Sequence, residues 1–131
     1  MSERYKYDLN TDFLRLRGDC TTEALALGDQ FWPQLMSGKL GDFHHEYLVA
    51  TSAFDRDWSN WECHPNGDEI VLLLAGRATF VLETSAGERR EELAGVGEYV
   101  RVPATRGTRR RRRRRPPCSS SRRARARFTA R

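Results

Sequence analysis

Residues 69–103 read EIVLLLAGRATFVLETSAGERREELAGVGEYVRVP, and this stretch decides the fold. It contains four short runs, at 69–76, 78–84, 89–93 and 98–103, which taken together are rich in Val, Leu, Tyr and Phe. The turn sequence Ser85-Ala86-Gly87-Glu88 lies between the second and third runs. Short apolar runs bounded by turn residues are typical of β-strands. Their close spacing predicts an all-β protein, a small antiparallel β-barrel of the jelly-roll type.

The same pattern extends towards the N-terminus. Runs at 46–54 and 58–63 precede a second turn sequence, Pro65-Asn66-Gly67-Asp68. Residues 70–74 are continuously apolar, which predicts a central strand covered on both faces. In ATFVLET at 78–84, by contrast, Thr79, Val81 and Glu83 alternate with Phe80, Leu82 and Thr84. We therefore place the barrel core at residues 40–103.

Residues 1–39 are predicted to form an N-terminal arm, because their first twenty residues show only weak periodicity. Within this arm, the stretch from Gly28 to Gly38 predicts one short helical turn. Asp29 is the expected N-cap, and Gly38 is expected to end the helix. Phe31, Trp32 and Leu35 would pack inward.

The composition changes abruptly at Ala104. Residues 104–131 contain 13 of the 23 Lys and Arg residues and none of the 18 Asp and Glu residues, so residues 1–103 carry a net charge of −8. A segment with many like charges and few apolar residues is typical of disorder, and we predict a disordered basic tail here. Such a tail binds polyanions without sequence preference. Nucleic acid is therefore an alternative partner, through Arg109, Arg110, Arg111, Arg112, Arg113, Arg114 and Arg115.

A candidate metal site lies around the turn at 65–68. Glu62 and His64 are two residues apart, so on a strand their side chains leave the same face. After the turn, Glu69 begins the next strand and returns to that face. Two carboxylates and one imidazole would converge there, and these are metal-ligand types. Trp61 is expected to line the adjacent cavity.

This window resembles the first motif of the cupin superfamily, which consists of His-x-His, a short gap, Glu, six residues and Gly. The interval from Glu69 to Gly76 matches the end of that motif, and His64 falls on the second His. Glu62 occupies the first His position. The second cupin motif has a Gly, a Pro after five intervening residues, and then a His; Gly97 and Pro103 match it, but the His does not follow.

The resemblance implies a divalent metal ion (Fe, Mn, Ni or Zn) held by Glu62, His64 and Glu69, and a small-molecule ligand in the cavity. It also implies a fold that hosts dioxygenases, isomerases and sensors alike, so it does not decide whether this chain is an enzyme. A homodimer is a further candidate assembly of this chain. The alternative is structural: His64 hydrogen-bonds near a turn, and Glu62 and Glu69 are solvated edge charges.

The basic tail has a second explanation in the coding frame. Codons can be chosen for residues 104–109 such that inserting one A after the first codon shifts the reading frame. The shifted codons then encode Ala-Asn-Thr-Trp-His-Thr, which restores the missing His. In the same frame, residues 118–127 are compatible with Met-Leu-Phe-Val-Thr-Pro-Gly-Glu-Gly-Thr, a strand followed by a turn. Arginine runs also arise when GC-rich coding DNA is read out of phase. We therefore favour a frame-shifted terminus over a selected basic arm.

Other features limit the function class. The chain lacks the GxGxxG, P-loop and GxSxG motifs, which argues against nucleotide-binding α/β folds. No apolar run approaches the roughly 18 residues that span a bilayer, and we expect a soluble, cytoplasmic protein. Cys20, Cys63 and Cys118 are expected to be reduced. The adjacent His44 and His45 would point to opposite faces of a strand, so we do not expect them to share a metal.

Overall fold

The computed structural model describes residues 3–54, 61–62, 67–104, 111–112 and 124–130. This part of the chain contains ten strands and one short helix. In chain order they are β1 Asp12–Leu16, β2 Thr22–Ala26, α1 Phe31–Met36, β3 Tyr47–Ala53, β4 Trp61–Glu62, β5 Glu69–Leu73, β6 Ala78–Thr84, β7 Gly87–Leu93, β8 Tyr99–Val102, β9 Arg111–Arg112 and β10 Ala124–Ala130.

The strands form three antiparallel sheets. The largest has six strands in the order β2-β1-β3-β10-β5-β8, and β4 with β9 and β6 with β7 form two-stranded sheets. This architecture confirms the predicted fold class, an antiparallel all-β protein with one short N-terminal helix. No helix in the described ranges is long and apolar enough to cross a membrane.

The strands predicted from the apolar runs are present. The hairpin of β6 and β7 pairs Thr84 with Gly87 around a turn at Ser85 and Ala86. β5 lies between β10 and β8, so the predicted central position of this strand is also confirmed. In β6 the predicted alternation gives way near the middle, because Phe80 and Val81 are both buried. This strand is therefore covered on both faces at that point.

The prediction of an N-terminal arm over 1–39 does not describe what is observed. β1 and β2 form a hairpin, and β1 also pairs with β3, which makes both strands part of the large sheet. Phe13 and Leu25 are register partners, and both are buried in a core with residues of α1 and β3. The strands DFLRL and TEALA mix polar and apolar residues, so their hydrophobic periodicity is weak. They are strands because their backbones pair and because each buries one side chain.

The short helix differs from its prediction in two details. Its N-cap is Gln30 and no side chain caps it, so the expected Asp29 cap is wrong. Gly38 follows the helix with φ +78°, a conformation that favours glycine, and this confirms the predicted end. Phe31 and Leu35 are buried, but Trp32 is 46% exposed, with its ring edge-on to Phe13 and Phe31. A helix of six residues has too little apolar face to bury all three side chains.

The C-terminal segment also departs from its prediction. We expected disorder throughout 104–131, but Ala124–Ala130 forms β10, which pairs with β3 on one side and β5 on the other. An empty position between β3 and β5 would leave two rows of backbone N–H and C=O groups without partners. β10 provides those partners. The large sheet therefore extends beyond the predicted boundary at residue 104.

Candidate functional site

Glu69 is the centre of the candidate site. It is the first residue of β5 and is 0% exposed, the only charged residue that is buried in residues 3–54 and 67–104. Its register neighbours are Val102 on β8 and Thr129 on β10, so strands flank it on both sides. The alternative of a solvated edge charge is therefore wrong for Glu69.

The other predicted ligands are only partly located. Trp61 and Glu62 form β4, as the sequence predicted, and β4 pairs with β9. His64, like Cys63 and the first half of the predicted turn, lies outside the described residues. In the part of the chain that the structure describes, no three His, Cys, Asp or Glu residues are grouped to hold a metal. The convergence of Glu62, His64 and Glu69 therefore stays a prediction.

The two motif glycines both adopt conformations that favour glycine. Gly76 has φ +74° and Gly97 has φ +95°, in the left-handed region that other residues rarely enter. The N–H of Gly97 donates to the carbonyl of Leu73 (3.0 Å), and the N–H of Leu73 donates to the carbonyl of Glu98 (2.9 Å). The two matched motifs are thus hydrogen-bonded to each other at the C-terminal end of β5.

A second contact joins the motifs at the other end of β5. The backbone N–H of Ala104 donates to Oδ1 of Asp68 over 2.7 Å, and this hydrogen bond is partly buried. Asp68 is the residue before Glu69. The contact therefore fixes the chain just after β8 beside the buried carboxylate. No local sequence pattern predicts this contact, because the partners are 36 residues apart.

Glu98 organises the loop between β7 and β8. Its Oε1 accepts hydrogen bonds from the N–H of Gly95 and from the N–H of Ala94, the latter at 2.9 Å. These two backbone donors, Gly95 first, hold the pKa of the Glu98 carboxyl below its ordinary value. A Cβ added at Gly95 would lie 3.1 Å from the same oxygen. The loop that carries Gly97 is thus held by a residue that the motif comparison did not single out.

The two adjacent histidines lie in a turn and not in a strand. His45 has φ +55°, and the rings of His44 and His45 lie edge to face with centroids 4.0 Å apart. The prediction that their side chains point to opposite faces of a strand is therefore wrong. Nevertheless, they are not part of a metal-binding group in the described ranges.

The arginine run is described only at Arg111 and Arg112. These two residues form β9, in which Arg112 is the register partner of Trp61 and Arg111 that of Glu62. Arg109, Arg110, Arg113, Arg114 and Arg115 lie outside the described residues. Of the three cysteines, Cys20 is an exposed free thiol, and Cys63 and Cys118 lie outside the described residues.

Comparisons with known proteins give one structural likeness. No protein-family model matches the chain, and no curated protein matches it. Among solved structures, the chain is similar to a cupin-2 domain containing protein from Shewanella frigidimarina. The identity is 15% and the TM-score 0.46, over 65% of this chain and 71% of that chain.

Proposed function

We propose that this chain is a cupin-type binding protein that holds a divalent metal ion with Glu62, His64 and Glu69, and that a small molecule binds beside the metal. The observation that carries the proposal is the complete burial of Glu69 at its motif position. Burying a carboxylate is costly unless an opposite charge, hydrogen bonds or a metal ion compensates it. A motif-matched carboxylate inside the sheet supports a metal ligand at this position.

The chemistry of the three donors fits such an ion. Two carboxylates and one imidazole provide oxygen and nitrogen donors that suit Fe, Mn, Ni or Zn. A metal with open coordination positions supplies Lewis acidity towards a bound ligand or water. The chain itself contributes the positioning: β8 and β10 flank Glu69, and the hydrogen bond from Ala104 to Asp68 fixes the adjacent turn.

The frame-shift hypothesis would add a fourth metal ligand to Glu62, His64 and Glu69. The shifted reading places a His shortly after Pro103, where the second cupin motif has one. It also supplies an apolar strand near the end of the chain. The apolar run of the shifted reading falls at 118–121, outside the described residues, whereas β10 at 124–130 pairs with β3 and β5. In the given sequence the strand there is ARARFTA, with an arginine opposite Val71 in the register.

Metal analysis of histidine variants tests the proposal. The purified chain is loaded with Mn, Fe, Ni or Zn, desalted, and its metal content is measured by mass spectrometry. His64→Ala should lose the metal, whereas the matched variants His44→Ala and His45→Ala should keep it. Equal metal content in all three variants would contradict the assigned ligands.

A second candidate function follows from the charge distribution. The basic tail carries 13 positive charges and no acidic residue, next to a body of charge −8. We propose non-specific polyanion binding through the seven arginines at 109–115 as the alternative. The two functions differ in where their essential residues lie, so variants in the arginine run and at Glu69 separate them.

A further inference from the structure

A cleft with a volume of about 550 Å³ lies between the N-terminal segment and the hairpin of β1 and β2, apart from Glu69. Its volume is within the range of small-molecule sites. Phe13, Leu14 and Ala24 contribute apolar lining, and Glu3, Arg4 and Asp12 contribute charged lining. The cleft therefore combines an apolar surface with a few charged groups, as ligand sites do.

Arg4 shows how a cation sits in this cleft. Its guanidinium lies over the ring of Tyr7, with 4.3 Å between Cζ and the ring centroid. One of its terminal nitrogens is 3.3 Å from Oδ2 of Asp12. An aromatic face together with a carboxylate is the arrangement that recognises organic cations. Arg4 thus shows, within the chain itself, the position that such a ligand would take.

The two ionic partners are held very differently. The side chain of Asp12 is 12% exposed, and it also accepts a hydrogen bond from the hydroxyl of Thr11 (2.9 Å). Arg4 is 59% exposed and belongs to a segment without regular secondary structure. The carboxylate is therefore fixed by the sheet, whereas the guanidinium belongs to an exposed side chain outside the sheet, whose Nε–H donates to the carbonyl of Lys6 (3.0 Å).

The charges of the cleft favour a cationic ligand. Glu3 and Asp12 bring two carboxylates against the single guanidinium of Arg4. The hydroxyl of Tyr5 donates to Oε2 of Glu3 over 2.8 Å, which keeps this second carboxylate at the cleft. When Arg4 moves out, two negative groups and the face of Tyr7 remain.

We propose that this cleft binds an organic monocation, an ammonium or guanidinium group on a small apolar body. The cation replaces Arg4 over Tyr7 and against Asp12, and its apolar body packs on Leu14 and Ala24, which are register partners. Arg4 acts as an intramolecular competitor. Removing Arg4 should therefore increase the affinity for such a ligand.

Binding of phenethylamine and of its neutral analogue 2-phenylethanol tests the proposal by calorimetry. Compared with the unmodified chain, Arg4→Ala should bind the amine about fivefold more tightly and Asp12→Asn about fivefold more weakly, since cation–π and ionic contacts have this magnitude. Arg77→Ala is the matched control, because Arg77 is an equally exposed arginine that pairs with Glu92 over 3.4 Å. It should leave amine binding unchanged.

The neutral analogue separates recognition of the charge from general apolar binding. If the amine and the alcohol bind alike in every variant, or if Arg4→Ala shows no saturable amine binding, the proposal is overturned. Thermal unfolding checks that Asp12→Asn is folded. If it is not, Tyr7→Leu takes its place, because leucine keeps apolar contact area and removes the aromatic face; undiminished amine binding by that variant would equally overturn the proposal.

Discussion

The backbone N–H of Ala104 and the carboxylate of Asp68 are joined by a 2.7 Å hydrogen bond that ties the end of β8 to the start of β5. Ala104 is the residue at which the composition of the chain changes, and Asp68 precedes the buried Glu69. The two sequence motifs are therefore linked beside the candidate metal ligand.

Asp68→Ala should destabilise the fold by about 1 to 2 kcal/mol, because it removes a partly buried hydrogen bond to a charged acceptor. Urea unfolding measures this change. Asp42→Ala is the control, since Asp42 accepts a hydrogen bond from the backbone N–H of His44 (3.1 Å) at an exposed position. The two variants should differ clearly. Equal losses would show that the link at Asp68 has no special role in stability.

Acid should weaken the loop at Glu98. The pKa of Glu98 in the folded chain is below its ordinary value of 4.5, because the N–H groups of Gly95 and Ala94 bind its carboxylate. A lowered pKa stabilises the fold above pH 4.5, and this contribution is lost as the pH falls through the pKa of the folded state. The melting temperature of the unmodified chain should therefore fall more steeply below pH 4.5 than that of Glu98→Gln.

The matched variant for this comparison is Glu83→Gln, which removes a carboxylate at an exposed position of β6. Its acid profile should follow that of the unmodified chain. Identical acid profiles for Glu98→Gln and the unmodified chain would contradict the role assigned to the loop.

Phe13→Ala should cost about 3 to 5 kcal/mol of stability, because Phe13 is buried in the core that it forms with residues of α1 and β3, and its ring contacts those of Phe31 and Trp32. Tyr5→Ala, at a residue that is 83% exposed, should cost less than about 0.5 kcal/mol. Denaturant unfolding compares the two. A small effect of Phe13→Ala would mean that the N-terminal hairpin is not part of the cooperative fold.

The sequence predicts a strand when its side chains form an apolar pattern, and it does not when the strand forms only through backbone pairing. The strands β3, β5, β6 and β8 carry apolar runs, and their side chains predict them directly. By contrast, β10 has the sequence ARARFTA, whose composition predicts disorder. It is a strand because β3 and β5 offer backbone partners on both sides, and these lie far away in the sequence.

The same distinction applies to the candidate site. The motif spacing identified Glu69, and the structure buries that residue. The contacts of Asp68 and Glu98 were missed because both side chains accept hydrogen bonds from backbone N–H groups, and such donors have no sequence signature. His44 and His45 were misplaced because the local pattern suggested a strand where the chain makes a turn.

Changing the seven arginines at 109–115 to glutamine should abolish non-specific binding of nucleic acid. These residues concentrate positive charge beside a body of charge −8, and phosphate binding of this kind weakens steeply with salt. Filter binding at several salt concentrations measures the effect. The control Arg89→Gln, at an exposed position of β7, should bind as before. Full nucleic-acid affinity at moderate salt in the seven-fold variant would exclude the run at 109–115 as the binding surface.

Restoring the shifted reading frame after Ala104 should raise both the melting temperature and the metal affinity. The restored strand Met-Leu-Phe-Val would bury large apolar side chains, each worth roughly 1.5 to 3 kcal/mol when fully buried, and the restored His would add a nitrogen ligand. Thermal unfolding and metal titration compare the two proteins. A repaired chain that melts no higher and binds metal no more tightly would contradict the frame-shift hypothesis.

The most direct test of the account is metal titration of Glu69→Gln, with Glu83→Gln as the matched control. Glutamine preserves the size of the buried side chain and removes its negative charge. If Glu69 is a metal ligand, the unmodified chain and Glu83→Gln should each bind about one divalent ion per chain, and Glu69→Gln should bind at least about tenfold more weakly. Equal stoichiometry and affinity in Glu69→Gln, in a variant that is folded, would contradict the proposed metal site.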